Sequence, residues 1–145
     1  MKEHITNHET LERCPFCEIL KRTDDEMILK RGLKTSLILS LEGHPLLVTN
    51  SHSSLSEIDP EMAAELGQEM VSNLNMIKRF YKADGVNVHT SLGESAGQEI
   101  EHTHIHIIPR FVGDVVGKFP KGLPRKPLSE RQTIASGLKE FLVER

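Results

Sequence analysis

Residues 102–108 read His-Thr-His-Ile-His-Ile-Ile and run into Pro109-Arg110. In an extended strand successive side chains point to opposite faces, so His102, His104 and His106 share one face and Thr103, Ile105 and Ile107 share the other. Same-face neighbours lie about 6.6–6.8 Å apart along the chain. The segment therefore presents three imidazoles in a row on a rigid element, backed by a largely apolar face. A core has little use for such a row, because every imidazole carries two ring nitrogens that need partners. The pattern predicts a sheet packed on one side and carrying a polar site on the other.

The segments around this strand fit that architecture. Leu37-Ile38-Leu39 and Leu46-Leu47-Val48 flank Glu42-Gly43, which reads as an antiparallel hairpin. Asp59-Pro60 is a strong helix start, and Met62, Leu66, Met70, Leu74, Ile77 and Tyr81 recur at helical spacing behind it. Gly85 falls just past that helix. Val86 to Thr90 reads as a strand, and Ser91 to Glu101 as a polar, glycine-bearing loop. Cys14 to Lys21 opens a short helix. Ser129 to Gln132 has capping-box spacing ahead of a last helix, over 128–145, with Ile134, Leu138, Phe141 and Leu142 on one face. Strands and helices do not alternate regularly, which favours α+β over a doubly wound sheet.

At 145 residues the chain fits one domain, residues 1–145, with a polar and loosely ordered stretch at 1–13. A formal charge of −3 gives no overall basic footprint for nucleic acid. No apolar run is long enough to span a membrane, and Met1 to Arg13 lacks the apolar centre of a signal peptide. A cytoplasmic protein with reduced thiols is expected. In that setting Cys14-Pro15-Phe16-Cys17 reads as a metal or redox pair rather than a structural disulfide. Its spacing suits zinc; it is also similar to a glutaredoxin redox motif, though the segment before it is polar, and two ordinary cysteines packed at a core edge are a third reading.

Imidazole is a nucleophile suited to phosphorus near pH 7. It is largely neutral, so the negative phosphoryl oxygens do not repel it. Attack divides one hard displacement into two easier ones. It requires one ring nitrogen free, the other fixed by an acceptor, and donors around the phosphoryl oxygens. A metal-dependent hydrolase built on the His-x-His pairs is the rival reading. It lacks close carboxylate ligands beyond Glu99 and Glu101, and Glu101 projects to the opposite strand face.

The His102 to Ile108 segment, with Ala96-Gly97-Gln98 before it and Pro109-Arg110 after it, resembles the histidine triad family of nucleotide hydrolases and transferases. Gly43-His44, Leu47-Val48 and His52 resemble that family's upstream hairpin. Cys14 and Cys17 resemble the cysteine pair of its zinc-bearing branch, so the likeness runs over residues 14–112. It implies an α+β domain in which an antiparallel sheet carries one long helix and a C-terminal helix, commonly as a homodimer. It implies that His104 attacks an α-phosphorus to give a nucleotidyl-histidine, that His106 contacts a phosphoryl oxygen or the leaving group, and that Gln98 lies near the scissile oxygen or positions water. His102 orients its neighbour or ligates metal. Ser91, Gly97, Gln98 and Glu99 line the substrate, together with His104, His106 and the backbone amides of Ala96 to Glu99. The zinc branch implies a structural zinc on Cys14, Cys17, His52 and His102.

Substrates implied are nucleoside phosphoramidates, acylated or sulfated nucleotides, or dinucleoside polyphosphates. A nucleotide-binding, zinc-stabilised interaction protein with little turnover is the alternative. His106, where uridylyltransferases of the family carry Gln, favours the hydrolase branches. Ser91 stands where many members carry Asn, and Ser40-Leu41-Glu42 is a shortened version of the segment that normally supplies a ribose-binding Asp. Met62 and Met70 are read as packing. The basic stretch Lys118, Lys121, Arg125 and Lys126 is read as a solvated loop, with reach to a polyphosphate tail or an acidic partner as the alternative, and His44 as a base-pocket or turn residue. His89 gives no signal.

Overall fold

The computed structural model describes residues 14–114 and 123–143. Its five strands are β1 (Ile28–Arg31), β2 (Thr35–Leu39), β3 (Pro45–Thr49), β4 (Gly85–His89) and β5 (His104–Arg110). They form one sheet in the order β1-β2-β3-β5-β4, and every pair in it is antiparallel. Three helices, α1 (Pro15–Lys21), α2 (Pro60–Tyr81) and α3 (Leu128–Val143), complete the α+β fold expected from the sequence. Among the described residues no helix is long and apolar enough to cross a membrane.

The sheet has two unlike faces, set by strand alternation. Leu37, Leu39, Leu47, Ile105 and Ile107 point to one side, where Leu66, Met76 and Ile77 of α2 and Ala135 and Leu138 of α3 complete the main core. Burying each such side chain contributes about 1.5–3 kcal/mol. On the reverse side Ile38, Leu46 and Val48 pack with Cys14, Phe16 and Cys17 around the short helix α1. His104 pairs with Val48 and His106 with Leu46 across β3 and β5, so the imidazole row lies on this second, thinly covered face.

Local chemistry explains most element ends. Asp59 caps α2 by accepting from Met62 N at 2.8 Å, and Pro60 occupies the first helical position. The helix closes on Lys82 in the left-handed region (φ 54°), so Gly85 is free to open β4. β5 begins at His104, two residues later than the alternation suggests. Thr103 instead exchanges backbone bonds with the end of β3 and the segment after it, accepting from Thr49 N at 3.3 Å and donating to Ser53 O at 3.0 Å. The capping box at Ser129 does not form. α3 already starts at Leu128, with Arg131 N donating to Pro127 O at 3.0 Å, and Gln132 reaches across to Glu26 instead. Residues 144–145 of the expected last helix, and the stretch 1–13, lie outside the described residues.

Candidate metal cluster and histidine site

The α1 segment is clipped to the sheet by four side chains. Cys14, Cys17, His52 and His102 each offer one ligand atom, and these atoms lie within 4.8 Å of one another. Cys14 Sγ is 3.3 Å from His102 Nδ1, and Cys17 Sγ is 3.5 Å from that nitrogen and 3.4 Å from His52 Nδ1. A tetrahedral zinc, with Zn–S about 2.3 Å and Zn–N about 2.0–2.1 Å, sets a sulfur and a nitrogen ligand about 3.5–3.6 Å apart. The spacing therefore fits the ion. The second shell fits as well: His102 Nε2 donates to Thr49 O at 2.7 Å, which turns the Nδ1 lone pair toward the two thiols. Burial, with the Cys14 thiol beside it, pushes the Cys17 thiol up to about 12. A bound cation would supply the charge that lets such thiols ionise.

His102 also organises its neighbour. His104 Nδ1 donates to the His102 carbonyl at 2.6 Å, so Nε2 holds the free lone pair. Burial pulls the His104 pKa below its ordinary value, which keeps that lone pair available. The Phe16 ring packs against both imidazoles, with centroids 5.6 Å from His102 and 4.9 Å from His104. Phe16, one of the two residues between the cysteines, thus touches the middle histidine directly.

His106 has a partner that sequence reading did not assign. His44, buried at the end of the hairpin turn, shares a 3.0 Å hydrogen bond between its Nε2 and His106 Nδ1. Tyr81 holds this turn by donating to Gly43 O at 2.7 Å, and Gly43 supplies the left-handed backbone (φ 90°) that the tight connection requires. Burial lowers His44 to about 4 and His106, with His44 beside it, to about 3. Both rings are neutral at pH 7. Histidine in the unfolded chain titrates near 6.5, so below that pH the unfolded state binds more protons than the folded one. Stability is therefore fully present above about 6.5 and is lost as pH falls toward 4 and 3. Denaturant unfolding at pH 7 and pH 5 is expected to show this loss, and His44→Gln to reduce it.

His104 and His106 open on a cavity of about 1380 Å³. Phe16, Ile19, Ile38 and Leu46 line an apolar part, and His89, Ser91, Gln98, Glu99, His104 and His106 a polar part. His89 belongs here after all, with its Nε2 3.3 Å from Ser91 Oγ. The loop before β5 uses most of its own polar groups. Ala96 N and Gln98 N bond to Gly93 O, and Gly97 N to Glu94 O, so three of the four amides expected to line a phosphate are engaged within the loop. Gln98 Oε1 accepts from Gly93 N at 2.8 Å, and its Nε2 donates to Ile100 O at 3.0 Å. The side chain read as a neighbour of the scissile oxygen thus braces the loop while it lines the cavity beside His104. Arg125, read as part of a solvated loop, lines the cavity, whereas Lys118 and Lys121 lie outside the described residues.

Fold and site together define a strand-borne histidine site backed by a four-ligand cluster suited to zinc. The HIT domain profile matches residues 40–113, and the chain belongs to that family. It is 34% identical over 107 residues to an AP-4-A phosphorylase of Mycobacterium tuberculosis, a match covering 69% of this chain and 55% of that protein. It is 39% identical over 103 residues to a bis(5'-adenosyl)-triphosphatase of Saccharomyces cerevisiae, covering 63% of this chain and 49% of that protein. The chain thus spans about half the length of each of these two relatives. Among solved structures, a hypothetical histidine triad nucleotide-binding protein of Sulfolobus tokodaii superposes with TM-score 0.76 at 30% identity, over 90% of this chain and 93% of that one. A Zn-bound histidine triad family protein of Mycobacterium smegmatis superposes with TM-score 0.68 at 25% identity, over 92% and 96%.

Proposed function

We propose that the protein is a nucleotide hydrolase or transferase that acts at an α-phosphate through a nucleotidyl-His104 intermediate. The observation that carries this reading is the 2.6 Å bond from His104 Nδ1 to the His102 carbonyl, which leaves a neutral, oriented nucleophile on the cavity wall. Attack by Nε2 forms a P–N bond and breaks the bond from phosphorus to the leaving group, which departs with its electron pair and takes up a proton. Water then forms a new P–O bond, the P–N electrons return to Nε2, and the surplus proton of the water is released.

The neighbours support the step. His106, held by His44, is placed to donate to a phosphoryl oxygen or to the leaving group. The Ser91 hydroxyl lies on the same wall, and Gly97, Gln98 and Glu99 shape the loop beside it. Cys14, Cys17, His52 and His102 would hold a structural zinc, which would fix α1 and the segment leading into β5, and none of these four residues is the nucleophile. A homodimer fits the exposed edge of β4, where Val88 is 44% exposed. The unbridged Cys14 and Cys17 suit a reducing, cytoplasmic setting.

Dinucleoside polyphosphates and nucleoside phosphoramidates are the substrates to test. Incubation of the purified protein with each is expected to release a nucleoside monophosphate. Tight binding of nucleotide with no release from either substrate class would refute the enzyme reading and leave an interaction protein.

A further inference from the structure

The turn between β2 and β3 is short, and another part of the chain closes over it. Lys126 N donates to Leu41 O at 2.9 Å. The Lys126 stem lies so close over Gly43 that a Cβ there would sit 2.5 Å from its Cδ. This contact seats residues 123–128 and the first turn of α3 at the end of the hairpin. It brings Arg125 and Arg131 onto the wall of the cavity that His104 and His106 share, near Glu42.

These side chains are not used up by the fold. Arg131 Nε donates to Lys126 O at 3.1 Å, which fixes its guanidinium, while its terminal nitrogens have no partner among the described residues. Neither Arg125 nor Glu42 makes a hydrogen bond or ion pair within that set. Glu42 nonetheless feels both guanidinium charges, while burial and the nearby Glu99 hold its carboxyl above the usual carboxylate range. An unpaired guanidinium fork matches phosphate oxygens in shape and charge. The cavity, at about 1380 Å³, also exceeds the range of about 300–1000 Å³ usual for a single small ligand. A group beyond the nucleotide that reacts has room in it.

We infer that Arg125 and Arg131 form a subsite for the phosphate chain of the leaving group, with Glu42 as the resident counter-charge that tempers it. The subsite takes a polyphosphate-bearing leaving group, such as the distal part of a dinucleoside polyphosphate, in preference to an uncharged amine. This assignment rests on the α-phosphate chemistry proposed above and adds a basis for choosing among its substrates.

The test compares kcat/KM for a dinucleoside tetraphosphate with that for a nucleoside phosphoramidate of an uncharged amine. In R125A/R131A the ratio is expected to fall by about ten-fold or more, because charge-assisted bonds to phosphate are lost. In E42Q it is expected to rise about two- to five-fold, as a like charge is removed. An unchanged ratio in R125A/R131A overturns the subsite, and an equal loss on both substrates assigns the wall to the nucleoside they share. A fall in the ratio for E42Q overturns the counter-charge role. If the wild-type protein turns over neither substrate, the chemistry fails separately. The subsite is then read from binding of a non-hydrolysable dinucleoside tetraphosphate against a nucleoside monophosphate, where R125A/R131A must weaken the first by about ten-fold more than the second. Equal weakening refutes it.

Discussion

His104→Ala is expected to cut turnover by about a thousand-fold or more while nucleotide affinity stays within a few-fold, since loss of a covalent nucleophile removes the chemical path rather than the binding surface. The binding surface is distributed over the apolar wall around Phe16, Ile38 and Leu46, the Ser91 side and the His106–His44 pair, none of which passes through the His104 ring. The fold should survive, because the bond that orients His104 is accepted by a backbone carbonyl and leaves no buried donor behind when the ring is removed. His104→Gln keeps more of the volume against Phe16 and controls for packing. Rapid quenching of the wild-type protein with labelled substrate into base should trap a nucleotidyl adduct on this residue, and the variants should show none. Undiminished turnover by either variant would remove His104 from the mechanism.

The second large effect is expected at the cluster. Elemental analysis should find one zinc per chain, and Cys14→Ser should abolish it. An ion present at a thousand times its dissociation constant stabilises the native state by about 4 kcal/mol. For a domain of this size that corresponds to a fall of about 10–20 °C in Tm on its loss. Chelation of the wild-type protein should produce the same fall, and added zinc should reverse it only when Cys14 is intact. A native protein with neither zinc nor affinity for it would refute the assignment. Activity is expected to drop with the metal even though none of the four cluster residues is the proposed nucleophile. Phe16 touches His104 from the helix that the cluster anchors, and the carbonyl that orients His104 belongs to a ligand residue.

The parts legible in sequence were those encoded by local periodicity. Alternation through His102–Ile108 placed Ile105 and Ile107 under the helices and the histidines on the opposite face, and Asp59-Pro60 marked the start of α2 to the residue. The cap expected at Ser129 failed because Pro127 had already started the helix, a competition between two start signals that spacing alone does not rank. The four ligand types at Cys14, Cys17, His52 and His102 were visible through family likeness, and their convergence is a tertiary fact. The His44–His106 bond joins residues 62 apart, and no period marks a turn histidine as the partner of a strand histidine. Gln98 was readable as a site residue, but that its amide is committed to Gly93 and Ile100 depends on the path of the loop. Arg125 is exposed, as its place after a proline in a basic stretch suggests, yet it also lines the cavity. Only the seating of Lys126 on Leu41 and Gly43 turns that stretch inward.

That seating ties hairpin length to the carboxy-terminal segment. Extra residues inserted between Leu41 and Gly43 would collide with the Lys126 stem, and a chimera that kept the compact turn but exchanged residues 123–131 would lose its end wall. Lys126 and Gly43 are 83 positions apart in the chain, yet the two stretches would have to be transplanted together.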